Sequence, residues 1–374
     1  MNILMLFSHR WRAGRAGGAE THIIELIKGL ARKGHEITFV TDRIDPGVSC
    51  AIDDFVVAHY ELPFRTFNLL DKFSTYKRIE EIIVERHITI IHAHHRTAGY
   101  FAELLCRQKR VPYVITVHDR WHRAPFKKLH GNIFRRLIAV SDSIRQVLVK
   151  DFHIAAERVK TIHNGIDPAK FEAAEAEKAV LFRQKHGVKE HEVVLTSVGR
   201  LTRAKGLADL LRALRLLPEA LPYKCLIVGE GKDQPLLQEL TLSYGLADRV
   251  SFCGYQSNIP VVMAAADIIL LPSHREPFGQ VILEAMFSHK PVIASAVDGI
   301  PEIVTHNSTG ILFSPGDVRA LAGAMEDLIS NAHKRRVLAE EGYKNALNRF
   351  CLSEMIDKTE TYYLDILSGT SISC

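Results

Sequence analysis

Length, composition and charge limit what this chain can be. It has 374 residues, of which 47% are hydrophobic and 24% charged, and these proportions exclude collagen-like, coiled-coil and wholly disordered proteins. At roughly 150 residues per domain, the length predicts two domains or one large α/β unit. The formal net charge of +5 is too small a surplus to predict nucleic-acid binding, so no nucleic-acid partner is expected.

The six cysteines include no C-x-x-C pair and have no histidine at zinc-finger spacing. Structural zinc is therefore not expected, and a reduced, cytoplasmic protein is the simpler interpretation. The first apolar run, Met1–Phe7, is too short and wrongly flanked for a signal peptide or a membrane span. We interpret it as a first buried strand.

Short apolar runs then alternate with helical patterns, which is typical of βαβ units and parallel sheets. The strands predicted in the first half are Asn2–Ser8, Glu36–Thr41, Ile88–His94, Pro112–His118, Leu137–Val140 and Val159–Ile162. The helices predicted between them are Gly18–Lys33, Thr75–His87, Thr97–Gln108 and Ser143–Asp151.

A polar Ala/Glu stretch from Ala169 to Lys178 has no deep apolar face, and we interpret it as an interdomain connection. A second set of strands follows: Val193–Val198, Lys224–Val228, Val250–Cys253, Ile268–Leu271, Val292–Ala294 and Gly310–Phe313. The sequence thus predicts an α/β protein with two Rossmann-like, doubly wound domains, 1–168 and 169–350, facing a central cleft. A C-terminal helix in 351–374 is expected to return to the first domain.

The sharpest motif runs from Glu276 to Glu284 and spans the start of an apolar helix. The free backbone amides of Phe278, Gly279 and Gln280 can receive phosphate oxygens at a helix N-terminus. The two carboxylates can accept hydrogen bonds from sugar hydroxyls, one on a hexose and the other on a ribose. The alternative, a helix-start acid plus an exposed glutamate, fits less well because Glu284 stands among apolar residues.

Two glycine-bounded loops each connect a predicted strand to a helix. Gly199–Gly206 carries Arg200 and Lys205, cations that suit a diphosphate, although a solvated basic loop is the alternative. Gly14–Glu20, which contains Gly17 and Gly18, aims helix N-terminal amides at an anion or is a flexible turn. Neither loop is a Walker A sequence or a G-x-G-x-x-G fingerprint.

The run His92-Ala93-His94-His95 suggests a metal site at first sight. Strand alternation places His92 and His94 on one face and His95 on the other, so three convergent ligands are not expected from it. Trp11 and Trp121 are either sugar-stacking platforms or simple rim residues.

Together these motifs resemble those of the retaining glycosyltransferases of family 4, which have the GT-B fold. The resemblance covers essentially the whole chain, and Glu276 and Glu284 match the family's E-x7-E signature. The other matching segments are Gly17-Gly18-Ala19-Glu20, Thr116-Val117-His118-Asp119, Ala139-Val140-Ser141, Asn164-Gly165-Ile166-Asp167, Gly199-Arg200…Lys205-Gly206 and Val228-Gly229-Glu230-Gly231.

The resemblance implies a role for each matched residue. Arg200 and Lys205 match the diphosphate-binding pair, Glu284 matches the ribose-binding carboxylate, and Glu276 matches the carboxylate facing the transferred sugar. His118 matches the histidine near the reacting sugar. The resemblance therefore assigns catalysis to His118, Arg200, Lys205 and Glu276. It assigns donor binding to Arg200, Lys205 and Glu276 as well, together with Phe278, Gly279, Gln280 and Glu284. Gly17 and Gly18 match the loop that closes on the donor phosphates, and Gly229, Glu230, Gly254 and Tyr255 match positions that frame the base.

The implied reaction moves a sugar from a nucleoside-diphosphate donor to a hydroxyl acceptor with retention of configuration. UDP is favoured on family frequency, with GDP and ADP open. No Asp-x-Asp occurs in the chain, so the metal signature of the other major glycosyltransferase fold is missing and no metal or cofactor is expected.

Three other functions fit parts of the sequence. A nucleotide-sugar 2-epimerase of the same architecture would keep the nucleotide site, but the E-x7-E arrangement favours transfer. A nicotinamide-dependent dehydrogenase could be built around Gly229 and Gly231, but Gln234 stands in place of the third glycine. A non-catalytic sugar-binding protein would normally carry an export signal.

Basic and aromatic residues concentrate in the first domain, where Phe126, Leu129, Ile133, Phe134 and Leu137 recur at helical spacing among Lys127, Lys128 and Arg135. Such a segment either faces the core with a solvated basic side or contacts an anionic lipid surface. A cytoplasmic enzyme that associates peripherally with membrane is the second of these interpretations.

Overall fold

The computed structural model describes residues 1–10, 17–44, 46–121, 133–172 and 176–369. The chain divides into two compact units. The first unit comprises Met1–Gly165 and Leu352–Cys374, and the second comprises Ile166–Cys351. Each unit contains one parallel sheet, which confirms the predicted α/β class with two Rossmann-like sheets.

The first sheet has seven strands in the order β3-β2-β1-β4-β5-β6-β7. They are β1 (Asn2–Arg10), β2 (Glu36–Arg43), β3 (Ala58–Glu61), β4 (Ile90–His94), β5 (Tyr113–Val117), β6 (Leu137–Ala139) and β7 (Val159–Thr161). Sequence analysis missed β3, an edge strand with no fully buried residue. A strand at the sheet edge needs no continuous apolar run, so its sequence carries little signal.

The second sheet has six strands in the order β10-β9-β8-β11-β12-β13, which repeats the order of the first six strands of the other unit. They are β8 (Val193–Val198), β9 (Tyr223–Val228), β10 (Val250–Gly254), β11 (Ile268–Leu271), β12 (Val292–Ser295) and β13 (Ile311–Phe313). All six were predicted, because strands buried on both faces read as apolar runs.

Helices connect and cover the strands. Within the described residues they are α1 (Gly18–Arg32), α2 (Pro46–Ile52), α3 (Leu69–Glu85), α4 (Arg96–Lys109), α5 (Asp142–Phe152), α6 (Ala169–Glu172), α7 (Ala176–Lys185), α8 (Leu207–Leu214), α9 (Gln234–Ser243), α10 (Ile259–Ala265), α11 (Gln280–Phe287), α12 (Ile300–Ile303), α13 (Val318–Ser330), α14 (Ala332–Arg349) and α15 (Leu352–Leu367).

The polar Ala/Glu stretch that begins at Ala169 leads into two helices that contribute buried residues to the second unit. Phe171 in α6 and Ala179 and Phe182 in α7 are buried, and α7 packs against α10 within the second unit. Helix α7 has a weak apolar stripe in an otherwise polar sequence, so periodicity alone did not reveal its buried side.

The last helix, α15, belongs to the core of the first unit. Met355, Ile356, Tyr363 and Ile366 are buried there, and α15 packs against α1. A Cβ on Gly29 of α1 would come within 1.9 Å of the Ile356 side chain, so the two helices approach closely at this glycine.

Candidate functional site

Both sheets contain a point where the strand order reverses. In the first sheet it lies between β1 and β4, and in the second between β8 and β11. At such a switch point, the loops leaving the carboxyl ends of the two strands diverge to opposite sides of the sheet and leave a crevice where ligands bind. Gly17 and Gly18 follow β1, Arg200 and Lys205 follow β8, and the motif from Glu276 to Glu284 follows β11, so each unit has its own candidate site.

In the second unit, the loop after β8 contains a 3-10 turn, Arg203–Lys205, and then Gly206, which precedes α8. Gly206 has φ +66°, and a Cβ there would lie 1.8 Å from the carbonyl oxygen of Pro272, just after β11. Only glycine permits both this conformation and this approach of two backbones. The loop after β8 therefore packs directly on the loop after β11.

That packing joins Lys205 to Glu276. The Lys205 Nζ lies 2.5 Å from Glu276 Oε2, and the two side chains are 21% and 11% exposed. Ser273 Oγ donates a hydrogen bond to the same carboxylate oxygen at 3.3 Å, and the Glu276 amide donates to Asp298 Oδ2 at 2.9 Å. The predicted sugar-facing carboxylate is thus fixed through both its side chain and its backbone.

Helix α11 carries the rest of the predicted motif. Gly279, with φ +103°, precedes the helix, which begins at Gln280, so Phe278 does not belong to it. Phe278 is instead buried and packs edge-on against Phe350, with ring centroids 6.0 Å apart. The Gln280 Oε1 is buried and has no hydrogen-bond partner among the described residues.

Glu284 lies in α11, one helical turn beyond Gln280. Burial raises the pKa of its carboxyl to about 7, and Lys170 partly opposes this shift. A hydroxyl donor placed against this carboxylate would relieve the cost of burying its charge, which fits the ribose contact that the motif predicts.

The residues predicted to frame the base lie on neighbouring loops of the same sheet edge. Gly229 donates its amide hydrogen to the Gly254 carbonyl at 2.8 Å, and Leu201 donates to the Glu230 carbonyl at 2.9 Å. A Cβ on Gly229 would lie 2.0 Å from the Gly199 carbonyl oxygen, so the loops after β8 and β9 also touch. Arg200 is exposed beside them, and Tyr255 is 37% exposed.

In the first unit, Gly17 precedes α1 and Gly18 begins it. The Gly17 amide donates to Glu20 Oε2 at 3.1 Å, so the helix caps itself with its own carboxylate. Residues 14–16 of the predicted loop, and Trp11, lie outside the described residues.

The first unit also brings four histidines together. His94 on β4 and His118 after β5 are hydrogen-bonded through Nδ1 and Nε2, 3.0 Å apart. His22 on α1 packs edge-on against His118, with ring centroids 4.8 Å apart. His92 bonds Tyr363 of α15 and, at 2.7 Å, Thr116. Sequence analysis missed His22, which the helical spacing from His22 to Leu26 and Leu30 would have placed on the buried face.

All four imidazoles are neutral at neutral pH. Burial lowers the pKa of His22 to about 4, against the opposing effect of Asn164. Burial also lowers the pKa values of His92, His94 and His118 well below the ordinary value, and the neighbouring histidines lower them further. A neutral ring donates one hydrogen bond and accepts another, which suits a sugar hydroxyl.

Nitrogens of His22, His94 and His118 lie within 4.8 Å of one another, and neutral imidazole is a common metal ligand. This trio differs from the His92, His94 and His95 run considered above. His95 stacks against Phe7 with centroids 5.1 Å apart. His94 and His118 contact each other directly through a hydrogen bond. That the reaction needs no metal stays a prediction.

The basic and aromatic segment of the first unit is described only from Ile133 onward. Phe134 and Leu137 are fully buried, and Leu137 lies in β6 rather than on a helix. Trp121 packs edge-on against Phe134 and Phe152, at 5.4 Å in each case. The core-facing interpretation is correct for these residues. No helix within the described ranges is long and apolar enough to cross a membrane.

Comparison with known proteins gives consistent matches to both units. Residues 16–170 match the family model described as Glycosyltransferase Family 4, and residues 180–345 match that described as Glycosyl transferases group 1. An N-acetyl-alpha-D-glucosaminyl L-malate synthase of Bacillus anthracis is 27% identical over 372 residues, covering 94% of this chain and 94% of that protein.

Two solved structures are similar over nearly the whole chain. A glycosyltransferase from Rickettsia africae has a TM-score of 0.88 and 24% identity, covering 98% of this chain and 99% of that one. HepE from Anabaena, in complex with UDP and glucose, has a TM-score of 0.85 and 24% identity, covering 97% and 99%.

Proposed function

Because the chain belongs to the GT-B glycosyltransferases of family 4, we propose that its donor is a UDP-sugar and that it transfers the sugar with retention to a hydroxyl acceptor. The observation that carries the proposal is the contact of Lys205 with Glu276 at the second switch point, with Glu284 further along α11. These groups supply a cation for a diphosphate and carboxylates for two sugars.

The charges explain how such a site would act. Breaking the bond between the sugar C1 and the phosphate oxygen leaves the bonding electrons on the nucleoside diphosphate. Lys205 and Arg200 stabilise that negative charge, and the first amides of α11 add oriented dipoles. Lys205 donates a hydrogen bond to Glu276. A bound donor diphosphate would attract the ammonium group, and the Glu276 carboxylate would then accept hydrogen bonds from sugar hydroxyls.

His118 of the first unit is the remaining residue to which the family resemblance gives a catalytic role. Burial lowers the pKa of His118 and keeps its ring uncharged, so the ring can exchange hydrogen bonds with a sugar hydroxyl, as the family resemblance implies. In the proposed front-side mechanism, the acceptor oxygen bonds to C1 on the face that the phosphate leaves. The acceptor proton passes to the departing phosphate oxygen, so no enzyme nucleophile is needed.

A panel of UDP-, GDP- and ADP-sugars tests the nucleotide, using slow donor hydrolysis and thermal stabilisation, which need no acceptor. We expect UDP-sugars to give the largest effects, and a tight preference for GDP would contradict this part of the proposal. The retained anomeric configuration of the product, read by proton NMR, and full activity after chelator treatment test retention and metal independence. An inverted product would be incompatible with the mechanism.

A further inference from the structure

The His118 ring uses only one of its two nitrogens to contact the first unit. Its Nε2 lies 3.0 Å from Nδ1 of His94, and this is the ring's only hydrogen bond among the described residues. The His118 side chain is partly exposed just after β5, whereas His94 is fully buried at the end of β4. The second nitrogen of His118, Nδ1, is therefore the one that remains for a ligand.

Two neighbouring rings hold His94 in place. His94 stacks on His92 with ring centroids 4.2 Å apart, and His22 packs edge-on against it at 5.9 Å. The His92 ring is itself fixed, because one of its nitrogens is hydrogen-bonded to the Tyr363 hydroxyl and the other to Thr116. A fully buried ring packed in this way cannot turn its Nδ1 away from its partner without losing these contacts.

The hydrogen bond between His94 and His118 contains one proton, so one neutral imidazole donates and the other accepts. If His94 accepted at Nδ1, its own proton would lie on Nε2, which is buried and has no hydrogen-bond partner. If His94 donates from Nδ1, its Nε2 carries a lone pair instead. Among backbone groups, a buried N–H without an acceptor is rarer than an under-used acceptor, and the same preference favours His94 as the donor.

The direction of this hydrogen bond decides the tautomer of His118. In a neutral histidine, the bond made by one ring nitrogen determines whether the other nitrogen carries the proton. If Nε2 of His118 accepts from His94, the His118 proton lies on Nδ1, the nitrogen that remains for a ligand. A histidine side chain in water prefers the opposite tautomer, with its proton on Nε2. His94 thus supplies a preference that the isolated ring lacks.

We propose that His94 is a positioning residue, which donates a hydrogen bond from its Nδ1 to Nε2 of His118 and thereby makes His118 present its Nδ1–H to an oxygen of the transferred sugar. The inference rests on the proposed function, because the sugar contact of His118 is part of it. It adds which nitrogen makes that contact and in which direction the hydrogen bond runs. The contact orients the sugar and transfers no proton, so both rings stay neutral.

The tautomer is measured by NMR of the full chain labelled with 15N in its histidines, without any donor present. Protonated and unprotonated ring nitrogens differ widely in 15N shift, and the His118 signals are assigned as those lost in His118→Gln. We expect a protonated Nδ1 and an unprotonated Nε2 in the wild type. His94→Leu removes the hydrogen bond and should shift the His118 proton towards Nε2. His94→Asn has an amide that can donate from about the place of Nδ1 and should restore the wild-type tautomer.

Kinetics of donor hydrolysis separate positioning from a merely structural role. His94→Leu should lower kcat/KM for the UDP-sugar about tenfold, the size expected for one neutral hydrogen bond, and His94→Asn should recover most of it. The matched control is His186→Leu in the second unit, where the histidine packs against Phe182 and its Nε2 is buried without a partner. This variant should keep the wild-type kcat/KM. Urea unfolding of each variant shows whether a loss of activity merely follows a loss of stability.

The outcomes that would overturn the proposal are distinct. One is a wild-type His118 that carries its proton on Nε2 or on both nitrogens. Others are an unchanged tautomer or an unchanged kcat/KM in His94→Leu. A stoichiometric metal ion that the purified wild type holds and His94→Leu lacks would also overturn it, because the metal would replace the shared proton. The expected tautomer in a wild type that hydrolyses no nucleotide sugar would instead count against the proposed function, and the bond between the two histidines would stand.

Discussion

The two switch points have the same topology and opposite chemistry. Around β1 and β4 the side chains are neutral imidazoles, whose charged forms burial disfavours. Around β8 and β11 they are an ammonium and a carboxylate in contact, beside a further exposed guanidinium. The same strand order thus supports a cluster of neutral histidines in one unit and a contacting ammonium and carboxylate in the other. The fold decides where a ligand binds, and the loops decide what it is.

The largest effect should come from the backbone contact that builds the charged switch point. Gly206→Ala places a Cβ 1.8 Å from the Pro272 carbonyl at positive φ, so we expect a loss of about 4 kcal/mol in stability, read by urea unfolding. Gly245→Ala has nearly the same φ of +68° in open space and should cost only about 1 kcal/mol. In Gly17→Ala, at the switch point of the first unit, the new Cβ would contact only the Glu20 carboxylate, which can move. The loss of stability should therefore be smaller than for Gly206→Ala. Equal losses of stability in all three variants would contradict the structural role given to Gly206.

Lys205→Ala should weaken UDP binding about 100-fold, because it removes a charge-assisted contact to the diphosphate. Isothermal titration calorimetry of the folded variant measures this. Lys189→Ala, which removes an exposed lysine elsewhere in the same unit, is the control and should bind UDP normally. Unchanged affinity in Lys205→Ala would remove the charged switch point from the donor site.

His22 should make the protein less stable in acid. Its pKa is about 4 in the folded protein and about 6.5 when unfolded, so unfolding takes up a proton between these values. Stability therefore falls as pH drops from about 6.5 to 4, by about 3 kcal/mol for this one group. His22→Phe should reduce the proton uptake on unfolding by about one in this window, as measured from denaturant melts at several pH values. An unchanged slope would show that His22 is protonated in the native state.

Glu284 should give the opposite dependence of stability on pH. Its pKa of about 7 lies above the unfolded value of 4.5, so the folded state holds the extra proton and stability falls as pH rises through this window. Glu284→Gln should flatten that dependence and gain up to about 3 kcal/mol at pH 8. The same variant should bind UDP about tenfold more weakly, since the carboxylate is the better acceptor for ribose hydroxyls. A variant that gains stability and keeps its affinity would leave Glu284 with no donor role.

The predictable parts were those with a local signal. All six strands of the second sheet were evident as apolar runs. The family resemblance singled out Glu276 and Glu284 by their spacing at a helix start, and their roles stay a prediction. The pairing of Lys205 with Glu276 could not be predicted in this way, because it depends on two loops, 71 residues apart in the chain, that Gly206 brings together. The histidine cluster needed α1, β4 and β5 to be placed around one another. Strand β3 was not predicted because an edge strand can consist of half-buried residues, which form no continuous apolar run.

The placement of α15 has a consequence for how the protein is made. The second unit is one continuous segment, Ile166–Cys351, and can complete its core as soon as it leaves the ribosome. The first unit begins at the first residue, yet His92 finds its partner Tyr363 near the end of the chain. The domain synthesised first is therefore the last to finish folding, and the apolar face of its helix α1 stays uncovered until Leu352 and the residues after it have been translated. A chain released before Leu352 would contain a complete second unit and an unfinished first one.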